Sequence, residues 1–286
     1  MQIAQRFWKR SGYVSIEMEN GRFQNFGGDQ DALDFRFDGR KLGDIQNEFT
    51  VGILGLSTAH INALTVWNVA EAFKRFRKIK VYAGYSVDSI ASPIFEGIVT
   101  EAIPSSPPDK WLNFKCLWVG PQADPSIKQE TVEKKPKEIF EQLAKNLSLT
   151  PKWKVTLDDN NKKIKFTIDQ KPQKAVERFA EAMGIKCYKE HDLLYAIDDK
   201  GWYQSPHDAK KISIDTGLIN IPFINIAGAT IRTRLIDDLD ICSWIKLESS
   251  LIPSANGYYY AIEKHLVGHL RGEEWYTEFT TVRAKT

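Results

Sequence analysis

Residues 81–102 read VYAGYSVDSIASPIFEGIVTEA, two apolar runs joined by a polar segment with Ser, Asp and Pro. β-Branched and aromatic residues fill both runs, and turn-forming residues separate them, which is the pattern of a β-hairpin. Each run contains one glycine, Gly84 or Gly97, of the kind found where a strand bends or another backbone approaches. No His, Cys or Lys lies in the stretch, so the hairpin predicts a structural role.

The residues before this hairpin contain two further strand patterns and one helix pattern. LDFRFDG at 33–39 and EFTVGIL at 48–54 alternate as strands do. The stretch 57–78 can begin with Ser57 as a helix cap. Its apolar residues recur at helical spacing and predict one buried face, formed by Ile61, Leu64, Trp67, Val69 and Phe73.

The hairpin and the strand that follows it recur near the end of the chain. IKVYAGY, IFEGIV and KWLNFKCLWV are matched in order by IKLESSL, YYYAIEKHLV and EWYTEFTTV. The separation from Phe95 to Trp111 equals that from Tyr259 to Trp275. This internal similarity predicts the duplication of one β unit, with both tryptophans packed in a core at the start of the third strand.

A segment of different character separates the two β units. Pro136 opens a helix pattern through Leu147, with Ile139, Phe140 and Leu143 on its apolar face, and a second helix pattern runs from Pro172 to Gly184. Strand patterns at 153–157 and 163–169 flank the turn DDNN and predict a hairpin, and 187–198 predicts another. The expected fold is mainly β with an α+β insertion, divided into a β-barrel domain at 1–125, an α+β module at 126–206 and a second β-barrel domain at 207–286.

Composition excludes several classes of function. The formal net charge of +2 is nearly neutral, so the chain has no excess of cationic residues of the kind that a phosphate-binding surface needs. The three cysteines are far apart, which fits neither a disulfide framework nor a structural zinc site. The first residues contain no apolar leader and no later run has the length of a membrane span, so we expect synthesis and folding in the cytoplasm, without membrane insertion.

Two groups of residues could carry chemistry, and each has a structural interpretation that we prefer. His265 and His269, with Glu273 and Glu274 nearby, have a spacing that would suit a metal on a helix, but their context is a hairpin. The acidic run that contains Asp237, Asp238 and Asp240 lacks the glycine and terminal glutamate of a calcium loop, and a turn explains it. We therefore predict no catalytic, cofactor-binding or metal-binding residue, and no enzyme.

The C-terminal sequence TGLINIPFINIAGATIRTRL, followed by WIKLES and GYYYAIEKHLVGHLRGEEWYTEFTTV, resembles the closing domain of tail hub proteins of long-tailed bacteriophages, relatives of the late control D family and of type VI secretion spikes. LDFRFDG, NEFTVGILGLSTAHINAL, VYAGY and IFEGIV resemble the opening barrel of that family. The bend at IDDLDIC departs from the family, which often has Asn-Pro and Pro-Gly there, and its shape stays open.

This resemblance implies two tube-like barrels per chain and a homotrimer that presents six barrels to a hexameric tail tube and a three-fold face to the central spike. The expected partners are the tail tube, the spike, the tape measure protein and other baseplate proteins, with DNA passing through without sequence-specific binding. It further implies a location in the virion tail baseplate. The residues expected in the ring wall are Tyr82, Gly84, Tyr85, Phe95, Gly97, Trp111, Tyr259 and Trp275.

Two alternatives from other classes remain at this point. A barrel of the oligonucleotide/oligosaccharide-binding type would also be rich in strands and aromatic residues, but it needs a basic groove that the charge does not supply. A wall-degrading enzyme attached to a hub would need a carboxylate pair, and the middle segment offers none with convincing spacing.

Overall fold

The computed structural model describes residues 9–28, 33–42, 48–65, 77–86, 92–118, 129–156, 162–168, 172–190, 193–198, 206, 208–236 and 238–284. Strands make up 53% of these residues and helices 15%, so the fold is mainly β as expected. The chain forms two compact units. The β unit comprises 1–41, 47–118 and 206–284, and the α+β unit comprises 42–46, 119–205 and 285–286. The three predicted domain ranges remain a prediction.

The strands are numbered along the chain: β1 Arg10–Glu17, β2 Phe23–Phe26, β3 Asp34–Lys41, β4 Glu48–Leu54, β5 Lys78–Tyr85, β6 Phe95–Pro104, β7 Trp111–Leu117, β8 Glu130–Lys134, β9 Thr150–Lys154, β10 Ile164–Ile168, β11 Ile185–Glu190, β12 Leu193–Asp198, β13 Lys210–Ile212, β14 Phe223–Ile224, β15 Gly228–Arg234, β16 Trp244–Leu247, β17 Gly257–His269 and β18 Trp275–Arg283. The described α-helices are α1 Thr58–Thr65, α2 Pro136–Asn146 and α3 Pro172–Met183. A 3-10 turn at Pro253–Ala255 precedes β17.

The β unit contains one sheet that includes strands from both ends of the chain. Its order is β14-β15-β18-β17-β3-β4-β7-β6-β5-β1-β2, and β16 pairs with both β17 and β13. β17 joins the C-terminal strands to β3 through six register pairs. The sheet is open within the described residues, so the two closed barrels predicted from the sequence are not confirmed.

The two halves of this sheet have the same strand order. β3-β4-β7-β6-β5 in the first half corresponds to β14-β15-β18-β17-β16 in the second. Each half has a bulge at the corresponding hairpin, between Val99 and Glu101 in β6 and between Ala261 and Glu263 in β17. A shared order and a shared bulge support the predicted duplication.

The bulges also correct the predicted alignment of the two tryptophans. Cys116 lies opposite Val99, as Thr281 lies opposite Ala261, so the position equivalent to Trp111 is Tyr276 and not Trp275. Successive side chains of a strand point to opposite faces, and a shift of one residue therefore exchanges inside for outside. Trp275 is buried, whereas Trp111 is only half-buried. The prediction that both pack in a core is right for Trp275 and wrong for Trp111.

Each half of the sheet has its own hydrophobic core. The first contains Phe35, Phe49, Phe95 and Phe114, with Trp275 of the C-terminal hairpin among them. The second contains Ile231, Ile245, Tyr259 and Phe279. Helix α1 contributes Leu64, and its first turn is capped because Ser57 Oγ accepts the backbone N–H of His60 at 3.2 Å, as predicted. Trp67, Val69 and Phe73 lie outside the described residues.

The α+β unit has the two predicted helices but not the first predicted hairpin. α2 begins at Pro136 and buries Ile139, Phe140 and Leu143, and α3 ends before Gly184, whose φ of +61° favours glycine. β9 and β10 do not pair with each other, since β9 runs parallel to β12 and β10 runs antiparallel to β8. The hairpin prediction is wrong because β9 and β10 each pair with a strand that is more distant in the sequence. β11 and β12 form the second hairpin as predicted.

Candidate assembly surfaces

The line where β3 meets β17, called here the internal seam, joins the two halves of the β unit. Lys264 lies opposite Lys41 on the core side, and Asp240 forms ion pairs with both. All three side chains are almost fully buried. Gly268 leaves room for the ring of Phe37, since a Cβ there would come within 2.2 Å of it. The internal seam is therefore closely packed and is held by buried ion pairs.

The other side of the internal seam forms a polar face, and it explains the two histidines. His265 Nε2 lies 2.9 Å from Asp38 Oδ1, and His269 Nε2 lies 2.8 Å from Asp34 Oδ2. Each imidazole therefore contacts a carboxylate on the neighbouring strand, and they do not converge on one site. No group of metal-ligating residues is present among the described residues.

The same face continues across both halves of the sheet with charges of both signs in pairs. Arg232 bonds Glu278 at 2.8 Å, and Lys115 bonds Glu101 at 2.9 Å. The guanidinium of Arg36 lies 4.4 Å from the ring centroid of Trp111, which is a cation–π contact. The polar face can therefore be hydrated, and each of these cations is balanced by a neighbouring carboxylate or aromatic ring.

Arg10 of β1 fixes the turn between β17 and β18. Its guanidinium donates to the backbone oxygens of His269 at 2.9 Å and Glu273 at 2.7 Å, and also to that of Gly272. The same group lies 5.7 Å from the ring centroid of Trp275. Three carbonyl groups on one cation hold this hairpin against the first half of the sheet.

Two strand edges carry exposed apolar side chains. β14 is the last strand at one end of the sheet order, and Phe223 is 68% exposed, while Ile226 beyond it is fully exposed. Ile221 and Ile224 are exposed beside them. At the far end of β6, Ile103 is 47% exposed. Exposed apolar side chains along edges with which no described strand pairs form the kind of surface that another chain can cover.

Most residues predicted for the ring wall lie in the core. Phe95 stacks on Phe49 with ring centroids 4.0 Å apart, and a Cβ on Gly97 would meet the Leu117 carbonyl oxygen at 2.2 Å. Tyr85 accepts a hydrogen bond from the Leu235 N–H at 3.3 Å. Their part in a ring wall, like that of Gly84, stays a prediction.

Two of the predicted tyrosines have specific partners. Tyr259 donates its hydroxyl proton to the Ala255 carbonyl at 2.6 Å, and burial raises the pKa of its phenol. Tyr82 is half-buried and stacks on Tyr13 across β5 and β1, with ring centroids 4.5 Å apart. Both arrangements stabilise the sheet and present no reactive group.

A polar depression of about 530 Å³ lies beside β13 and β16. Lys211 and Lys246 both bond the carboxylate of Glu248, and these hydrogen bonds lower the pKa of Glu248 to about 2. A carboxylate with so low a pKa is a poor general base at neutral pH. The shift at Glu248 thus runs away from neutral pH, opposite to the upward shift that a carboxylate acting as a general base or acid needs.

Three features of these surfaces were not predicted from the sequence: the seam ion pairs, the Arg10 contacts and the apolar edge of β14. The ion pairs and the Arg10 contacts join residues far apart in sequence, so no local pattern reveals them. The apolar edge had a signal, because INIPFINI places four isoleucines and a phenylalanine around a proline, which is confined to edges and bulges.

Comparison with known families identifies the fold. A sequence model described as "Baseplate hub gp41" matches residues 13–276. The chain belongs to this baseplate hub family. The match covers both halves of the β unit and the α+β unit between them. No curated protein sequence matches the chain.

Solved structures of tail proteins share this fold at low sequence identity. A tail protein from Neisseria meningitidis MC58 aligns with a TM-score of 0.60 at 10% identity, over 96% of this chain and 97% of that one. The 43 kDa tail protein of prophage MuSo2 from Shewanella oneidensis gives 0.57 at 10% identity, over 96% and 97%.

A type VI secretion component, the E. coli c3393 protein, gives a TM-score of 0.55 at 10% identity, over 94% of this chain and 77% of that one. That protein is described as structurally similar to the T4 tail proteins gp27 and gp5. These likenesses show the fold, and the hub family is the one predicted from the sequence. A structural family of baseplate hubs makes an enzyme unexpected.

Proposed function

We propose that this protein is the hub of a phage tail baseplate, a ring of three copies in the virion that joins a hexameric tail tube to a central spike. The repeated strand order in the β unit carries this proposal. Three chains with two equivalent halves each supply six similar positions, which suits a six-fold tube. The differences between the halves leave a three-fold arrangement for the spike.

The polar face of the sheet suits the lining of a channel for genome ejection. Its cations at Arg232 and Lys115 each pair with a carboxylate. A wall of paired charges remains hydrated and offers few free cations to phosphates, because tight DNA binding depends on cations that replace counterions. DNA can then pass through the ring without being held.

The α+β unit is proposed to contact other baseplate proteins. It has a separate core formed by both helices and three short β pairings, including Phe140, Phe166 and Phe179. Because it folds around that core, it can present a binding surface without altering the ring. The tape measure protein is a further proposed partner, at the face of the ring toward the tube.

A reconstruction of the assembled tail tests the proposal. Three copies around the tail axis, between the tube and the spike, with the Arg232–Glu278 face toward the channel, are the expected result. Six or twelve copies, or a position away from the axis, would contradict it. Activity of the purified protein on peptidoglycan or polysaccharide, abolished by replacing one carboxylate, would contradict the structural role.

A further inference from the structure

Lys41, Asp240 and Lys264 form a buried cluster on the core side of the internal seam. Nζ of Lys41 contacts Oδ2 of Asp240, and Nζ of Lys264 lies 3.9 Å from Oδ1 of the same carboxylate. The three residues are only 3%, 8% and 4% exposed, in that order. A primary amine and a carboxyl group, 199 positions apart in the sequence, are thus held against each other away from bulk water.

The surroundings of this cluster are apolar. Leu239 and Ile241, on either side of Asp240, are buried, and the ring centroid of Trp118 lies 5.4 Å from Nζ of Lys41. Charged groups lose their hydration in such a site. Transfer of one proton from Lys41 to Asp240 gives a neutral amine and a neutral acid, a state that an apolar site favours far more than water does. A neutral lysine amine is a nucleophile.

Lys210 and Asp238 form an exposed pair of the same type in the same β unit. Their side chains also contact each other, but that of Asp238 is 71% exposed. Water stabilises both charged forms at such a site, so the amine stays protonated and the carboxylate stays unreactive. Of these two pairs, only the one at the internal seam combines contact with burial.

We propose that Lys41 and Asp240 form an isopeptide bond, a covalent amide link between the two side chains across the internal seam. The ion pair in the structure is the state from which this bond forms. The nitrogen of Lys41 attacks Cγ of Asp240, so that one C–N bond forms and one C–O bond of the carboxyl group breaks. The oxygen leaves as water with two protons from the ammonium group. An ammonium and a carboxylate thereby become an amide and water, and the reaction needs no co-reactant.

Lys264 is placed to assist this reaction. When the nitrogen adds to Cγ, negative charge develops on the carboxyl oxygen that remains, and the ammonium group of Lys264 faces Oδ1. A positive charge directed at a developing oxyanion lowers the barrier, and the effect is larger where water is excluded. Oδ1 then becomes the amide oxygen, and Oδ2 leaves in the water molecule. Lys264 therefore makes Asp240 more reactive although it forms no new bond itself.

The bond changes how the two halves of the β unit can separate. β3 and β17 pair through backbone hydrogen bonds, which can break one after another from an end of the pairing. An amide from the last residue of β3 to the segment between β15 and β16 keeps the halves together even in an unfolded chain. This link lies within one chain, so it does not depend on the number of copies in the ring or on the proposed function.

Mass measurement of the denatured full-length protein tests the bond. We expect the chain to be lighter than its sequence requires by one water molecule, about 18 Da, and proteolysis to yield a cross-linked peptide that contains Lys41 and Asp240. Lys41→Arg keeps a cation but removes the reactive amine, so it should restore the full mass. Lys210→Arg, in the exposed pair, is the matched control and should keep the loss.

Two results would overturn the bond. One is a full mass for the folded wild type after prolonged incubation, a measurement that needs no variant and therefore does not depend on whether a variant folds. The other is a loss of water that persists in Lys41→Arg, which would place the dehydration elsewhere in the chain.

The rate of bond formation tests the part of Lys264. Lys264→Met should slow the loss of mass in freshly folded protein by about tenfold or more, because the developing oxyanion loses its neighbouring cation. Lys264→Arg keeps a cation at this position and should recover most of the rate. Equal rates for the wild type and Lys264→Met would overturn the assistance by Lys264, and the mass of the wild type would still decide the bond.

Discussion

Lys41 and Lys264 lie directly opposite each other across the internal seam, and Asp240 forms an ion pair with each of them. Lys41 also lies 5.4 Å from the ring centroid of Trp118. Two neighbouring buried ammonium groups repel each other, and burial removes the water that would screen them. The carboxylate therefore decides whether the two halves of the sheet can join here.

Asp240→Asn should lower the free energy of unfolding by about 3–5 kcal/mol, because two buried cations lose their shared counter-charge. Urea unfolding followed by fluorescence measures this loss. Asp238→Asn is the control, since its pair with Lys210 is exposed at Asp238 and such pairs contribute about 0–1 kcal/mol. Similar losses in the two variants would show that the buried pairs are not needed.

Trp275→Ala should cost about 3–5 kcal/mol, because the indole packs edge-on against Phe35 and Phe37 in the first core. Trp111→Ala should cost about 1 kcal/mol, because it removes a half-exposed ring and its contact with Arg36. The two are compared by urea unfolding.

Trp275→Phe separates packing from hydrogen bonding at the same site. The buried Nε1 of Trp275 has no acceptor among the described residues, so phenylalanine removes an unsatisfied donor while keeping an aromatic ring. We expect a loss well below that of Trp275→Ala. Equal losses would mean that the indole N–H contributes a bond.

Gly97→Ala should destabilise the hairpin of β5 and β6 by about 1–3 kcal/mol, because the added methyl group meets the backbone of Leu117. Backbone atoms cannot rotate away as a side chain can. Thr100→Ser in the same strand serves as the control, because Thr100 is exposed and serine keeps the hydroxyl group that donates to the Lys115 carbonyl oxygen at 3.0 Å, so little change is expected. Thermal unfolding of both variants distinguishes a local steric effect from general sensitivity of β6.

The three thiols should react at different rates in the folded protein. Burial raises the pKa of Cys187 to about 12 and raises that of Cys116 as well, so both stay protonated and covered near pH 8. Cys242 is only partly buried. One thiol per chain should react quickly with a disulfide reagent, and Cys242→Ser should abolish that phase. Fast reaction of a second thiol would contradict the burial.

Glu248 should contribute to the loss of stability in acid. Its pKa is lowered from 4.5 to about 2 in the folded protein, so its contribution is present above about pH 4.5 and is lost as the pH falls toward 2. Glu248→Gln should therefore show a shallower decline of stability over this range than the wild type. Parallel declines in urea-unfolding series would exclude the effect.

The sequence predicted those parts of the fold that depend on local pattern. Alternation revealed β3, β4 and the hairpins β5–β6 and β11–β12. Apolar spacing with Pro136, Pro172 and Gly184 revealed both helices of the α+β unit. These features arise from contacts a few residues apart. The hub family was recognised for the same reason, since its strands recur in a characteristic order.

Long-range pairing could not be predicted in the same way. Nothing near β3 indicates that it pairs with β17, more than two hundred residues later. The hairpin expected from β9 and β10 failed for this reason, because the turn residues between them permit a hairpin without requiring it. The misplacement of Trp111 has a different cause, since equal spacing in sequence ignored where each bulge lies.

The two bulges also constrain how this chain can evolve. Deleting Thr100 or Ile262, the extra residue at each bulge, would shift every later residue of that strand by one position and turn its core side chains toward water. Substitutions face no such barrier, and Cys116 and Thr281 already differ at matching places. The two halves that descend from the duplicated unit can therefore lose nearly all sequence similarity, while the single inserted residue persists in each of them.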